Sequence, residues 1–479
     1  MTSLPSPSAN ERFDLRWFAL FIGVQLLAVL AAIWLPHKLL LVAGVAVLGG
    51  IYLVAVLLWP WIIVPAIVAT TALDITGQLI KETGLGIPVT GFHISFGLMV
   101  TGLLTNTFLR RRVHFPDFEL KGPLFALWGI MLFSLTYTPE AAFVDGTIGV
   151  FRTLFLIAFL YGTQLMIDSR RAMNLVVISM SAALLGGALL AVVQILTERF
   201  YLPASFVIAV GANAPRATGT FHNPNTFGTF LMAGSIFLLG IALFGGLSRT
   251  LRGWLLLATA AGFGGLVVTF SRANWVAGAV GIGVVLFLAK KMRYAIYAVI
   301  LGLITVMAVK EFVPFAEHIF QRLMSIFTLF EQFGETGRAS SSARVYFALA
   351  GMEMWLDNPI FGTGWRSFPV LFDAYKSPDF PHWVPTKESH TLFANILAEL
   401  GIIGVVASCW IVVKTLGRGW TAMHSTQDPY LRGVMCGLLS LFIAFQVSLS
   451  FTADFSNNFL WFFTGMIFAV AQLIDRSTT

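Results

Sequence analysis

The chain has 479 residues, of which 57% are hydrophobic and only 11% charged, and it carries a net charge of +7. A soluble domain carries about 25% charged residues, so the deficit excludes an ordinary soluble protein and places most of the chain in lipid. Cys409 and Cys436 both fall in apolar runs and read as small buried hydrophobes, not as a disulfide, metal or redox pair.

A hydrocarbon core about 30 Å thick takes ~20 apolar helical residues to cross. Backbone groups inside it must be satisfied within the segment, so long apolar runs are helices; a barrel would show alternating strands instead. In chain order, residues 1–16 (MTSLPSPSANERFDLR) are polar and read as a disordered cytoplasmic tail. No small-residue cleavage site follows the first apolar run, which therefore reads as a retained span. About fourteen spans are expected, near 17–35, 39–58, 60–73, 93–109, 122–137, 148–166, 173–196, 224–245, 253–270, 274–289, 294–309, 391–413, 433–451 and 457–474. The third is short, and only Trp59-Pro60-Trp61 links it to the second. The expected fold is an all-α polytopic membrane protein of about 12–14 transmembrane helices, with one large periplasmic loop containing short amphipathic helices. The helices of 17–309, the loop of 310–390 and three spans over 391–475 would form one integral membrane domain.

Charge orders these spans, because cytoplasmic loops are enriched in Lys and Arg. With a cytoplasmic N-terminus, the cytoplasmic segments hold Arg12 and Arg16; Arg110, Arg111, Arg112 and Lys121; Arg170 and Arg171; Arg249 and Arg252; Lys290, Lys291 and Arg293; Lys414, Arg418 and Arg432; and Arg476. The short segments on the other face hold only Lys38, Lys81, Arg199 and Arg216, with Arg152 and Arg272 at span ends. Every second loop is basic. This predicts both termini in the cytoplasm and explains the net charge without nucleic acid.

The loop over 310–390 breaks the pattern of short links, and loops of this length in compact proteins are usually functional. "PFAEHIFQRLMSIFTLFEQF" places Ile319, Leu323, Ile326 or Phe327, and Phe330 on one face and suits a surface helix. "SSSARVYFALAGMEMWLDNP" has serine caps around Ser342 and stops before Pro359. A Gly-rich turn, "NPIFGTGWRSF", and a Pro-rich stretch, "KSPDFPHWVPTKESH", follow.

Four polar residues stand out on the periplasmic face: Arg216 in "PRATGTFHNPNTFG", Arg272 in "TFSRANW", Arg344 at the start of the second loop helix, and His390 at the mouth of a later span. Singly, each arginine reads as well as a side chain snorkelling to lipid phosphates. Together, three guanidinium groups and a histidine suit an anion site with a proton acceptor beside it. Arg152 could join that site. Arg366 and Lys387 read as supporting phosphate contacts or as plain loop charges. Asn223 and Asn225 read as caps of the helix after Pro224, and His222 as a turn residue. Glu399 lies nine residues beyond His390, so ~13 Å deeper. It reads either as a functional intramembrane acid or as a structural partner of Arg152. Acids two residues apart occur only at Asp117 and Glu119, on the cytoplasmic side, and no His-rich pair at metal-ligand spacing is present.

At these residues the chain resembles the bacterial O-antigen ligase and O-antigen polymerase superfamily of ligase-like membrane glycosyltransferases. The matching stretches are "RATGTFHNPNTFGTFL", "FSRANWVAG", "SSSARVYFALAGMEMWLDNPIFGTGWRSF" and "ESHTLFANILAELGIIG", from about residue 216 to 405. The resemblance implies a metal-independent transferase of lipopolysaccharide biosynthesis, without a cofactor. Its donor would be a glycan on undecaprenyl pyrophosphate. Its acceptor would be a hydroxyl on lipid A–core for a ligase, or on a second lipid-linked glycan for a polymerase. Arg272 and Arg344, with Arg216 nearby, would bind the pyrophosphate. His390 would activate or position the acceptor hydroxyl. The layout of a long loop before three final spans favours the ligase. A transporter of polysaccharide or small anions is the alternative of another class, but transporters place polar sites at the midplane.

Overall fold

A backbone in hydrocarbon has no partner but itself, and the apolar runs are accordingly helical. The computed structural model describes residues 50–51, 54–56, 62–72, 91–110, 115–201, 209–210, 214–221, 223–294, 319–321, 323–324, 340–378, 380, 391–452 and 457–478. Residues 1–62 and 63–479 are two compact units, and the elements below belong to the second. They are α1 (Ile63–Ala72), α2 (Gly91–Arg110), α3 (Lys121–Ser134), α4 (Glu140–Met166), α5 (Arg170–Thr197), α6 (Pro224–Phe244), α7 (Arg249–Val268), α8 (Arg272–Leu288), α9 (Ser340–Asp357), α10 (Phe368–Tyr375), α11 (Leu392–Ser425), α12 (Pro429–Leu449) and α13 (Asn458–Thr478). Between α5 and α6, β1 (Ala209–Val210) pairs antiparallel with β2 (Ala214–Pro215). By length and composition α4, α5, α6, α7, α11, α12 and α13 can cross a membrane, and α1, α3 and α8 are shorter apolar helices. The protein is an all-α polytopic membrane protein. The expected spans near 17–35, 39–58 and 294–309, and the surface helix expected over 314–333, lie wholly or largely outside the described residues.

Two helices run longer than hydropathy alone suggested. α4 starts at Glu140, after Pro139, eight residues ahead of the expected span. α11 continues to Ser425, twelve residues past it, carrying Lys414 and Arg418 within the helix. A hydropathy window reports only the part in lipid, while the helix itself continues into the polar layer. Side-chain caps set several of the starts. Asn223 accepts from Asn225 N at 2.7 Å, with Pro224 at the first helical position. Asp428 does the same for Tyr430 N at 2.8 Å, with Pro429 following it. An oxygen acceptor followed by proline is a favourable helix start.

α6, α12 and α13 form the buried centre, with Phe230, Phe237, Met435, Leu438, Phe445, Phe463 and Phe468 fully or almost fully buried. α6 and α12 approach through glycine: a Cβ on Gly240 would stand 2.4 Å from Gly437 Cα. Small residues permit such contact between membrane helices, where dispersion replaces the hydrophobic drive.

At one end of the bundle the acids of the Asp117–Glu119 pair are occupied by cations. Asp117 pairs with Lys121 at 2.7 Å. Glu119 accepts from Arg418 Nε at 2.9 Å, and Arg418 also reaches Asp475. Arg170 holds Asp428 at 2.6 Å and lies over the Tyr430 ring. These acids tie α3, α11 and α13 together.

The other end contains a break in α11. Gly401 sits at φ +62°, ψ −161° inside it. The turn after α9 docks into this break: Thr363 N and Gly364 N donate to Ala398 O and Glu399 O, each at 2.9 Å, and Ile402 N donates to Pro359 O at 3.0 Å. A Cβ on Gly401 would lie 2.3 Å from Ile360 O, and one on Gly362 (φ +70°) 2.4 Å from the Glu399 carbonyl carbon. Only glycine permits both the left-handed backbone and the approach.

Candidate active site

Arg216, Thr269 and the start of α8 meet at this second end. The α7–α8 reversal passes through Phe270 at φ +53°, so that Thr269 O turns towards the segment after β2. Arg216 donates to it from Nε at 2.8 Å, and from Nη2 to Asn225 Oδ1 at 2.9 Å. Asn225 therefore holds Arg216 and does not cap α6 with its side chain, a role that Asn223 fills alone. Gln194 clamps the segment after β2: its Oε1 accepts from Thr218 N and Gly219 N at 3.0 and 2.9 Å, and its Nε2 donates to Gly219 O at 2.8 Å.

Asn274, two residues beyond Arg272, joins three helices below this layer. Its Nδ2 donates to Asn225 O at 2.8 Å and to Ser271 Oγ at 3.0 Å. Its Oδ1 accepts from Thr229 Oγ1 at 3.2 Å and from Ser448 Oγ at 2.9 Å. Asn274 is 0% exposed, and all its hydrogen-bonding capacity in these contacts serves α6, α8 and α12. Arg272 is the first residue of α8, so this network sets where its side chain starts.

Arg344 comes from α9, which lies along the first turns of α11, with Phe347, Ala350, Met354, Phe368, Phe372 and Ala398 in one apolar cluster. Arg344 is half-buried, and its guanidinium is pushed down from the ordinary arginine range, first by burial and then by the charge of Arg272. The structure thus brings Arg272 and Arg344 into each other's field, with Arg216 held by Thr269, three residues before Arg272 in the chain. Two like charges held together disfavour each other; an anion between them reverses the sign.

The remaining sequence candidates divide. Arg152 lies within α4, exposed, with its charge acting on His93 of α2. Glu399 is fully buried, but its partner is not Arg152: Oε1 accepts from Phe368 N at 3.1 Å, and Arg366 is the cation whose charge reaches it. Lys387 and His390 lie outside the described residues, as does His222. Thr391, directly after His390 in sequence, is the N-cap residue of α11. Gln194, Asn274, Thr269 and Ser448 were not singled out from sequence. They are uncharged residues inside apolar runs, and only their isolation there marked them.

Residues 255–409 match the family model described as O-Antigen ligase. Over that segment the chain is similar to this family. The match supports the resemblance to the O-antigen ligase superfamily, whose members are glycosyltransferase-like enzymes. The segment contains Arg272, Asn274, Arg344, Arg366 and Glu399, while Arg216, Asn225 and Ser448 reach the same site from outside it. No curated protein matches the chain in sequence.

Proposed function

We propose that this protein transfers a glycan from undecaprenyl pyrophosphate to an acceptor hydroxyl on the periplasmic face of the inner membrane, with lipid A–core as acceptor. The observation that carries the reading is the approach of Arg344 to Arg272: two half-buried guanidinium groups, each at the head of its helix, in one another's field. Such a pair suits a pyrophosphate, whose oxygens accept guanidinium hydrogen bonds in parallel. As the glycosyl bond breaks, negative charge grows on the leaving pyrophosphate, and cations already in place stabilise it without reorganising. Arg216, bound to Thr269 O and Asn225 Oδ1, fixes the loop beside them. His390, next to the start of α11, would accept the proton of the attacking hydroxyl or hold that hydroxyl in line. A small apolar pocket lined by Leu124, Leu160, Ile396, Phe442 and Trp461 lies between α3, α4, α11, α12 and α13.

Reconstitution with undecaprenyl-pyrophosphate glycan and two acceptors tests this. Extension of lipid A–core supports a ligase. Extension of a second lipid-linked glycan identifies a polymerase of the same fold. Product with neither acceptor removes the enzymatic reading. His390→Ala and Arg344→Ala should insert normally in cells and leave lipid-linked glycan unused in the periplasm. Accumulation on the cytoplasmic side would instead indicate transport.

A further inference from the structure

Gln194 lies one turn from the end of α5 and is 0% exposed. A carboxamide buried in an apolar span is costly unless its polar groups are paired, and here both ends are. Oε1 accepts from Thr218 N and Gly219 N at 3.0 and 2.9 Å, while Nε2 donates to Phe200 O and Gly219 O at 3.0 and 2.8 Å. Two chain segments thus present two N–H groups and two carbonyls to one side chain. A carboxamide offers two acceptor and two donor sites together, and Asn would be a methylene short.

The same residue collects the left-handed backbone at this end of the bundle. Glu198 stands at φ +54°, Phe200 at φ +66° and Gly219 at φ +56°, and non-glycine residues rarely adopt such values. All three bond to Gln194. Glu198 N donates to its backbone O at 2.9 Å, and Phe200 and Gly219 meet its side chain. A Cβ on Gly219 would stand 2.6 Å from the Phe227 ring, so this close approach requires glycine. Backbone in such regions persists where its surroundings over-determine it, and it clusters at functional sites.

From Gln194 the contacts run through neighbouring residues to the head of α8. Ala217, next to Thr218, donates from N to Val268 O at 3.0 Å. Arg216 donates from Nε to Thr269 O at 2.8 Å. Val268 is the last residue of α7, and Thr269 Oγ1 accepts at 3.2 Å from Ser271 N, directly before Arg272. A shift of residues 216–219 therefore reaches the reversal from which Arg272 starts.

We propose that Gln194 positions Arg216 and Arg272 by holding residues 217–219 against the α7–α8 reversal. Gln194 is a positioning residue and touches no substrate. The proposal rests on Arg272 being a contact for the donor pyrophosphate.

The test is kinetics of the full-length protein in liposomes, with undecaprenyl-pyrophosphate glycan as donor and lipid A–core as acceptor, for wild type, Gln194→Met, Arg216→Gln and the double variant. Methionine has a similar length and no amide. Gln194→Met should raise the donor KM by about tenfold or more with the acceptor KM unchanged. The double should stay within about threefold of Gln194→Met, because residues acting along one path do not add. Donor and acceptor KM values rising together would mean general loosening and overturn the proposal. Wild-type kinetics for Gln194→Met, or single effects that multiply in the double, would overturn it too. If Gln194→Met fails to insert, Gln194→Glu, which keeps an acceptor for both amides and loses the donor to the carbonyls, is measured by the same criteria. Failure of both to insert would make Gln194 a folding residue and refute the proposal. Failure of the underlying reading is separate: wild type itself would then form no product.

Discussion

Asn274→Ala tests whether the polar layer under Arg272 is functional scaffolding or incidental. The substitution removes four hydrogen bonds, but not every partner is stranded. The Asn225 carbonyl keeps Thr229 Oγ1 at 3.0 Å. Ser271 and Ser448, 3% and 2% exposed, lose the bonds they make to Asn274. At ~1–3 kcal/mol for each buried group left without a partner, two groups would give ~2–6 kcal/mol. That scale overstates a membrane bundle, where interhelical hydrogen bonds average ~0.6 kcal/mol. Ser448 can also turn to a carbonyl one turn back on α12, as helical serines do. We therefore expect a destabilisation of about 1–2 kcal/mol, measured as a lower melting midpoint in detergent. Glycan transfer should fall by more than that loss accounts for, by at least tenfold, because Arg272 and the Asn225 that holds Arg216 both hang from this residue. Asn274→Ala with wild-type melting and wild-type transfer would refute the reasoning.

Arg344→Lys should transfer at least tenfold more slowly than wild type despite its retained charge, because an ammonium cannot reproduce the guanidinium fork; donor titration in liposomes reads it. Arg418→Ala, at the opposite end, removes both Glu119 and Asp475 as partners of a side chain that is 17% exposed. It should cost ~1–3 kcal/mol as a charge-assisted network is cut, while transfer per folded molecule stays at the wild-type rate. A matching loss of transfer would show that the two ends are coupled. Gly401→Ala forces a left-handed residue, at ~1–2 kcal/mol, and drives a Cβ onto Ile360 O. Its folded yield should drop sharply, and normal yield would mean the break in α11 is not built as described.

The spans were legible because lipid enforces one rule on every residue of a segment, and that rule survives in composition. The cap at Asn223 was legible for a related reason, since an acceptor before proline acts within one turn. The docking of residues 359–364 into α11 was not legible. It depends on two glycines, Gly362 and Gly401, meeting across about forty residues of chain, and each glycine alone reads as an ordinary turn or helix defect. Glu399 shows the same limit. Its depth was readable from its distance to His390, but its partner is a backbone amide, Phe368 N, and no residue type announces an amide.

The three arginines shared one description in sequence, a cation on a face that should have few, and the structure separates them. Arg216 is bound to neutral acceptors, a carbonyl and an amide oxygen, on two different elements. Those bonds fix its plane and make it a brace for the loop. Arg272 and Arg344 instead act on each other. Two cations brought together at the heads of α8 and α9 raise the free energy of the empty site and lower it when an anion enters. Under the proposed reading, discrimination would lie with Arg272 and Arg344: a neutral glycan would gain nothing from relieving their repulsion, whereas a glycan on pyrophosphate would. Asn274, which enforces the approach under Arg272, is thus part of how the site would select its donor.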